Sequence, residues 1–271
     1  MKLPTSDPVF RWSDEPWGFG LRCRALEPIA QHVFTTRQLQ LRHATPAKSI
    51  VDAWGEAAAA IGVTLERVAR IKQVHGSTVR VIRDNGPGAL PQERPPADAV
   101  ISNQAGLALA VQVADCVPVL LVDGVAGAAG AIHAGWRGTQ AGISRAAVQA
   151  MRHELGVEPQ NLIAAIGPSI GPCCYEVGPE VFDAFRRCAT EDQLARWFST
   201  PAPGSRRLDL WTANRDQLIA SGIPSDRVFV ASLCTRSHLD VFESYRADGE
   251  NAGRMAALIA VPGSGTDRRL S

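Results

Sequence analysis

Two histidines and one cysteine, far apart in the sequence, are of the residue types that bind zinc. His75 stands in the run Gln-Val-His-Gly, Cys116 lies at the junction of two apolar runs, and His133 closes a third. We expect each of them at a strand end, where the active sites of α/β proteins collect. Two imidazoles and one thiolate with an open fourth position are typical of catalytic zinc. The sequence therefore predicts a metal site formed by His75, Cys116 and His133.

The same residues also allow chemistry without a metal. Their spacing matches no short zinc motif, and Cys116 with His133 could serve as a nucleophile with its base. Asp115 places an acidic group inside an apolar stretch, where an unpaired charge costs several kcal/mol. We expect Asp115 to hydrogen-bond a substrate or to orient a metal ligand. The predicted catalytic residues are therefore Cys116, His133 and Asp115 under either chemistry.

A glycine-rich segment in the middle of the chain has the composition of an anion site. Gly135 and Gly138 allow a ligand to approach the backbone closely. Thr139 is expected to cap a helix over residues 140–155. The N–H groups at a helix start attract anions, and Arg137 lies beside them in sequence. One interpretation is a phosphate site at Arg137, Gly138 and Thr139; the other is a plain strand–turn–helix connection with a surface arginine.

The neighbouring Cys173 and Cys174 are a second feature with chemical potential. A disulfide between adjacent residues is strained, so we interpret them as thiols beside a Gly/Pro-rich ligand loop over 167–172. No paired cysteine or histidine lies at zinc-finger spacing from them, which does not favour metal ligation. The chain is long and shows no sign of export, so all six cysteines are expected to be free thiols.

Length and charge restrict the class of protein. The chain has 271 residues, of which 45% are hydrophobic, and this suits one large domain. Its 28 Lys and Arg residues balance 27 Asp and Glu residues, so no strong field for nucleic acid or anionic membranes follows. The N-terminus lacks a secretory pattern, and the most apolar region, 117–132, is too short and too interrupted to span a membrane. We expect a cytoplasmic protein that binds neither nucleic acid nor membranes.

Hydrophobic patterning predicts helices and strands that are interspersed along the chain. Strands are expected over 31–37, 68–74, 78–83, 99–102, 107–113, 117–122, 130–133, 162–166, 228–233 and 254–261. Helices are expected over 49–61, 140–155, 179–188, 191–198 and 210–221, the first of them capped by Ser49 and ended by Gly62. The central strands are continuous apolar runs, which indicates that both of their faces are covered.

These elements predict an α/β (α+β) fold, with a single domain of mixed β-sheets flanked by helices over residues 31–261. An irregular, polar segment over 1–30 precedes it, with Trp12 and Trp17 expected to attach that segment to the domain. Residues 84–97 are rich in Gly and Pro and are expected to form an exposed loop. The tail over 262–271 is expected to be disordered.

Several segments, in order, resemble one known family. They are QVHGSTV, ADAVIS, ADCVPVLLVD, AIHAGWRGT, IGPSIGPCCYEVG and SYRADGENAGRMAALI. They resemble the motifs of the laccase-domain family, also known as the YfiH-like purine nucleoside phosphorylase family. The likeness covers residues 31–261, nearly the whole chain.

The resemblance implies a YfiH-like domain that holds one zinc ion through His75, Cys116 and His133. It implies phosphorolysis of adenosine, inosine, guanosine and S-methyl-5'-thioadenosine, with adenosine deamination as a further activity. Purine nucleoside and phosphate are then the small-molecule partners. It also implies substrate binding by Arg37, Tyr175 and Arg246, beside Arg137, Gly138 and Thr139. The older laccase label of the family implies copper as the alternative metal.

The sequence departs from the family pattern in two places. The Gly-Gly-x-Ser turn and the Asn-Leu-Gly segment that usually follow the Thr-Thr-Arg strand are missing after Arg37. The usual Tyr-Arg-Arg triplet is Tyr-Arg-Ala at 245–247. Three alternatives to the phosphorylase therefore stand beside it: a copper-dependent polyphenol oxidase, a metal-free cysteine hydrolase, and a non-catalytic partner protein. The oxidase is disfavoured because copper clusters need many imidazole ligands and the chain has 6 His.

Overall fold

A computed structural model describes residues 2–43, 49–83 and 94–260 of the chain. Within these ranges, helices and strands alternate irregularly. In chain order they are β1 (Phe10–Glu15), β2 (Gly18–Cys23), β3 (Gln31–Thr35), α1 (Ile50–Ala59), β4 (Val68–Ala69), β5 (Val79–Ile82), β6 (Ala99–Ser102), β7 (Ala108–Val113), β8 (Val117–Asp123), β9 (Ala128–Ala134), α2 (Trp136–Gln140), α3 (Ile143–Leu155), β10 (Ile163–Ile166), α4 (Pro179–Arg186), α5 (Glu191–Trp197), β11 (Phe198–Ser199), β12 (Arg207–Leu208), α6 (Leu210–Ala220), β13 (Val228–Val230), α7 (Tyr245–Asp248) and β14 (Met255–Ala260).

Two mixed six-stranded sheets form the framework. The first sheet has the order β1-β2-β3-β14-β7-β4 and is antiparallel except where β4 joins β7. The second sheet has the order β13-β10-β8-β9-β6-β5, with parallel pairs at both of its edges. The short strands β11 and β12 form a separate ribbon. The predicted single α/β domain of mixed sheets flanked by helices is therefore confirmed.

Three apolar clusters define four layers. Side chains such as Val111 and Leu120 fill the space between the two sheets. The outer face of the first sheet packs against α1, where Trp54 is buried. The outer face of the second sheet packs against α3 and α6, which contribute Met151 and Leu218. Burying apolar area on both faces of each sheet is the main favourable contribution to the stability of this arrangement.

The two central strands of the second sheet are covered as the sequence predicts. Every residue of β8 and β9 is buried. The strands pair antiparallel, with Val117 opposite Ala134 at one end and Asp123 opposite Ala128 at the other. This pairing brings Cys116, just before β8, to the same sheet end as the last residues of β9. The apolar runs thus fix which end of the second sheet holds the predicted ligands.

The N-terminal residues correct one prediction. The segment over 1–30 is not irregular throughout, because β1 and β2 pair as an antiparallel hairpin and β2 also pairs with β3. The polar and glycine residues of these strands have low strand propensity, and pairing with the sheet overrides it. Attachment by the two tryptophans is confirmed, since Trp17 is buried and Trp12 stacks on Phe242 at 6.1 Å.

Other boundaries also differ from the prediction. The strand expected over 68–74 is only Val68–Ala69, and the one expected over 228–233 ends at Val230. The helix expected over 140–155 is divided, because Gly142 adopts a left-handed φ of 78° between α2 and α3. The capping of α1 by Ser49 is confirmed, with Asp52 completing a capping box. Most of the predicted loop over 84–97 and the tail over 262–271 lie outside the described residues.

No helix in the described ranges is long and apolar enough to cross a lipid bilayer. All six cysteines lie in these ranges, and each is a free thiol, as expected.

Candidate active site

His75, Cys116 and His133 meet at one end of the second sheet. Cys116 immediately precedes β8, and His133 is the second-last residue of the antiparallel partner β9. His75 lies in the turn that leads into β5, at the same end of the sheet. The candidate ligand atoms of the three side chains all lie within 4.8 Å of one another. Cys116 and His133 follow His75 by 41 and 58 positions, and the strand register brings all three together.

The donor atoms suit a single zinc ion. Nε2 of His75 lies 3.9 Å from Sγ of Cys116. Zinc bonds of about 2.0 Å to nitrogen and about 2.3 Å to sulfur require roughly 3.5 Å between such ligands in a tetrahedron. The two imidazole rings meet edge to face, with centroids 4.8 Å apart. Two imidazoles and a thiolate leave a fourth tetrahedral position for a substrate or water.

Asp98 holds both histidines in place. Its Oδ1 lies 2.9 Å from Nδ1 of His133, which leaves Nε2 of that ring to face the other ligands. The same carboxylate accepts hydrogen bonds from the backbone N–H groups of His75 at 2.9 Å and Gly76 at 2.6 Å. His75 needs this support because its φ of 62° is left-handed and uncommon for a non-glycine residue. A carboxylate that orients a metal-binding imidazole also raises the basicity of that ligand.

The sequence analysis did not single out Asp98, although it quoted the segment ADAVIS that contains it. A signal was present, since an acidic residue stands at the start of the buried strand β6. A carboxylate at such a position must find partners. The same argument that drew attention to Asp115 therefore applied here.

The surroundings favour a thiolate at Cys116. Burial by itself raises the pKa of a thiol, but the charge and hydrogen bonding of His133 and His75 outweigh burial and lower the pKa of Cys116 to about 6. Burial likewise opposes ionisation of Asp98, and the bonds from His133 and the backbone outweigh it, so the pKa of Asp98 is lowered. A thiolate is the form of cysteine that binds a metal or attacks an electrophile.

Gly135 leaves space for the side chains of Cys116 and His75. A Cβ atom on this residue would lie 2.9 Å from Sγ of Cys116 and 3.1 Å from Cδ2 of His75. Real carbon–sulfur contacts are longer, so any side chain here would displace a ligand. We expected this glycine to admit a ligand to the backbone, and the structure shows instead that its missing side chain leaves space for Cys116 and His75.

A cavity of about 880 Å³ opens above the three ligands. This volume lies in the range of small-molecule sites. Arg137 and Arg246 line the cavity together with Trp136 and Tyr175. The Arg137 guanidinium lies 4.3 Å from the Trp136 ring, and that of Arg246 lies 5.1 Å from the Tyr175 ring. Three further cations that the sequence analysis did not identify also line it: Lys72, Arg94 and Arg254.

Asp115 connects the site to the C-terminal part of the chain. Its carboxylate accepts hydrogen bonds from the Thr235 hydroxyl at 2.6 Å, the Ser244 hydroxyl at 3.1 Å and the Arg246 backbone N–H at 2.6 Å. The residue has a left-handed φ of 83°. The carboxylate is buried and satisfied by these partners. Asp115 thereby fixes the start of α7, which carries Arg246, relative to Cys116.

Three residues that we predicted to bind substrate do not line this cavity. Thr139 is buried inside α2, where its hydroxyl accepts a hydrogen bond from Asn214 at 3.0 Å, so it caps no helix. Gly138 packs against the backbone, since a Cβ there would lie 3.0 Å from the Gly76 carbonyl. Arg37 lines a separate pocket and pairs with Glu243. In the five-residue α2, Arg137 therefore lines the cavity, whereas Gly138 and Thr139 are buried in packing contacts.

The fold and site define an α/β protein with a candidate metal centre at the floor of a cavity. Residues 27–262 match the family described as multi-copper polyphenol oxidoreductase laccase, and the chain belongs to that family. This confirms the resemblance stated from the sequence motifs.

Two homologous proteins and one crystal structure are similar to this chain over most of its length. A protein of Geobacillus stearothermophilus named purine nucleoside phosphorylase YlmD is 39% identical over 199 residues, which cover 72% of each chain. A protein from an unknown prokaryotic organism, named adenosine deaminase RL5, is 36% identical over 211 residues, or 76% of this chain and 79% of that one. The crystal structure of the Bacillus licheniformis hypothetical protein YfiH has a TM-score of 0.83 and 28% identity, with 94% and 100% coverage.

Proposed function

We propose that the chain is a zinc-dependent purine nucleoside phosphorylase that also deaminates adenosine. The observation that carries the proposal is the convergence of His75, Cys116 and His133 at the floor of a cavity lined by arginines. The names of two relatives, a purine nucleoside phosphorylase and an adenosine deaminase, support the substrate class. Adenosine, inosine, guanosine and S-methyl-5'-thioadenosine are the proposed substrates. Six free thiols are consistent with a reducing compartment such as the cytoplasm.

Zinc suits the donor set better than a copper cluster. Two imidazoles and one thiolate match a mononuclear zinc site, whereas a multinuclear copper centre needs many more imidazoles. The other four histidines lie outside this ligand group. His32, for example, uses both ring nitrogens on the backbone groups of Cys23 and Ala30. When bound, zinc would supply Lewis-acid polarisation of an oxygen and lower the pKa of a bound water.

Arg137 and Arg246 are the proposed phosphate-binding residues. Arg137 and Arg246 both line the cavity, and a guanidinium group offers donors in a fork that matches phosphate oxygens. Arg246 is held by its Nη1, which donates to the Glu176 carbonyl at 2.8 Å. Phosphate bound by these cations would attack the sugar carbon while the glycosidic bond breaks and the purine base leaves. Fixed positive charge near the reacting oxygens stabilises the transition state without reorganisation.

Trp136 and Tyr175 are the proposed nucleoside-binding side chains. The rings of Trp136 and Tyr175 line the cavity and offer flat apolar surfaces to a purine. Burial raises the pKa of Tyr175 above its ordinary value, and its protonated hydroxyl could donate a hydrogen bond to a substrate oxygen or nitrogen. Asp115 acts in this scheme as a positioning residue, because its carboxylate accepts hydrogen bonds from the Arg246 backbone N–H and from two loop hydroxyls.

Base release from nucleosides tests the proposal. Purified protein with one zinc per chain is expected to release adenine from adenosine only when phosphate is present, with formation of ribose 1-phosphate. Inosine formed from adenosine without phosphate reports the deaminase separately. The Cys116→Ser variant should lose zinc and both activities. Cys188→Ser is the matched control, because Cys188 is an exposed thiol outside the cavity lining. A zinc-loaded protein that releases no base and forms no inosine contradicts the proposal.

The geometry favours one second candidate, a metal-free cysteine hydrolase. Cys116, His133 and Asp98 stand in the order of a nucleophile, its base and the carboxylate that orients the base. Alkylation separates the two candidates. If zinc binds, it should protect Cys116 from iodoacetamide, whereas the hydrolase predicts equal alkylation with and without zinc. Retention of the ligand group with no turnover of any nucleoside would favour the non-catalytic partner instead.

A further inference from the structure

Three cysteines form a second cluster of soft donors beside the cavity. Cys173 and Cys174 follow β10, and Cys234 follows β13, its parallel neighbour in the second sheet. The three Sγ atoms all lie within 4.8 Å of one another, and those of Cys173 and Cys174 are 3.4 Å apart. Cys234 is 60 residues away from Cys174, so sequence spacing gives no sign of this third ligand. Parallel pairing of the two strands supplies that third thiol.

We propose that Cys173, Cys174 and Cys234 form a second metal site, specific for a soft d10 cation such as Cu(I). Among the residues that the structure describes, the cluster consists of three cysteines and includes no imidazole or carboxylate. Thiolates select Cu(I) over hard divalent ions, and three sulfurs satisfy the trigonal coordination that Cu(I) adopts. An ion about 2.3 Å from each sulfur requires sulfur–sulfur separations of roughly 4 Å, which lies between the 3.4 Å of Cys173 to Cys174 and the upper limit of 4.8 Å for the group. This site goes beyond the nucleoside chemistry proposed above and does not depend on it.

Polar groups lie beside all three sulfurs. The backbone N–H of Gly171 donates to Sγ of Cys234 at 3.2 Å. The Ser237 hydroxyl lies 3.5 Å from Sγ of Cys173 and 3.3 Å from Sγ of Cys174. The Gly171 N–H favours the anionic form of Cys234 over the thiol, whereas in the two Ser237 contacts either atom can be the donor. Cys173 is exposed and Cys234 is buried, so the cluster has both an entry side and a closed side.

A bond between Cys173 and Cys174 is the less suitable use of these thiols, because adjacent residues close a disulfide only with strain. An ion, in contrast, would join two loops that already contact each other. Ser169 donates its backbone N–H to the Leu233 carbonyl, and Thr235 donates its own to the Ser169 carbonyl.

Both loops lead directly into the cavity. Tyr175, which follows Cys174, lines the cavity, and Thr235, which follows Cys234, holds Asp115. An ion bound by the three thiolates would therefore fix the distance between two cavity walls. Its binding is expected to stabilise the folded protein because the loops are ordered only in the native state.

Cu(I) titration tests this site in the Cys116→Ser background, which removes the thiolate of the first site. Reduced, metal-free protein is titrated anaerobically with Cu(I) against bicinchoninate as the competing chromophore. One tightly held Cu(I) per chain is expected, with X-ray absorption showing a shell of sulfur alone. Adding Cys173→Ser and Cys174→Ser should abolish that equivalent, whereas adding Cys188→Ser should leave it intact.

Thermal unfolding supplies a second measurement. Cu(I) should raise the Tm of Cys116→Ser by several degrees and leave the Tm of the variant that also lacks Cys173 and Cys174 unchanged. Cys234→Ala, checked for folding by circular dichroism, should weaken Cu(I) binding at least 100-fold. The site is refuted if Cys116→Ser retains no Cu(I), if the absorption spectrum shows imidazole ligands, or if folded Cys234→Ala binds as tightly as its parent.

Discussion

Oδ1 of Asp98 lies 2.9 Å from Nδ1 of His133, and the same carboxylate accepts the backbone N–H of His75. One buried side chain thus fixes the ring orientation of one candidate ligand and the backbone of another. The neutral tautomer of His133 that carries its proton on Nδ1 would donate to Asp98 and present an unprotonated Nε2, which is the form that binds a metal. Asp98 is therefore the residue on which the geometry of the proposed zinc site depends.

Replacing Asp98 with asparagine is expected to weaken zinc binding by about 10- to 100-fold. The amide has the same shape, but its N–H₂ group must face either His133 or the backbone donors that now meet a carboxylate. Competition with a chromophoric chelator measures the affinity. Asp123→Asn is the matched control, because Asp123 is a buried carboxylate at the opposite end of β8 that also accepts backbone N–H groups. Equal zinc affinity of the two folded variants would rule out this role for Asp98.

Gly135→Ala is expected to abolish or strongly reduce zinc binding. The added methyl group would lie 2.9 Å from Sγ of Cys116, so the thiolate would have to move. The control is Gly55→Ala in α1, where a Cβ meets nothing within 4 Å. That substitution is expected to leave zinc binding unchanged and to stabilise the protein by about 0.5–1 kcal/mol, since alanine favours a helix over glycine. Zinc content by elemental analysis and urea unfolding check both. Full zinc occupancy in Gly135→Ala would contradict the argument.

Asp115→Asn is expected to reduce kcat/KM for phosphorolysis by about 10- to 100-fold without loss of zinc. Asparagine tolerates the left-handed φ of 83°, so the fold should persist. The loss comes from the charge-assisted bond to the Arg246 N–H, which is worth about 1.5–3 kcal/mol. Thr235→Val removes a single bond to Asp115 and should cause a smaller decrease. Steady-state kinetics with zinc analysis measure both, and an unchanged kcat/KM would show that Asp115 has no positioning role.

Arg137→Gln and Arg246→Gln are each expected to raise the KM for phosphate about tenfold or more, because each removes a charged fork from the cavity. The KM for the nucleoside should change less. Arg186→Gln, on the exposed side of α4 and paired with Asp183, is the control and should change neither constant. If phosphate saturation is the same in all three variants, phosphate binds elsewhere in the protein.

His32 makes the stability of the fold depend on pH. Burial lowers the pKa of His32 to about 4, below the 6.5 of an unfolded chain. The neutral ring is favoured in the folded state, so its contribution is fully present above pH 6.5 and is lost as the pH falls towards 4. The total is roughly 3 kcal/mol. Urea unfolding of the wild type and His32→Gln between pH 7 and pH 4 should show a shallower decline for the variant. Parallel pH profiles would contradict the assignment to His32.

The ligand group and the central strands were predictable from local sequence for one reason. Each of His75, Cys116 and His133 adjoins an apolar run or a turn, and runs of Val, Ile and Leu in the middle of a chain specify buried strands. The position of His133 at the end of the apolar run that forms β9 therefore predicted the place of the site. The hairpin of β1 and β2 was not predictable in this way, because its polar and glycine residues become strands only through pairing with neighbours.

By itself, the sequence determined the donor types, the α/β class and the strand ends at which the donors stand. The tertiary structure alone decided what those ends contain. Thr235 and Ser244 reach Asp115 across 120 and 129 residues, and Cys234 joins Cys173 and Cys174 through the pairing of two strands. The tertiary structure also buries Thr139 in the protein interior while Arg137, only two positions earlier, lines the cavity. Residue type and spacing describe local geometry, whereas sheet order and register set which distant side chains share a site.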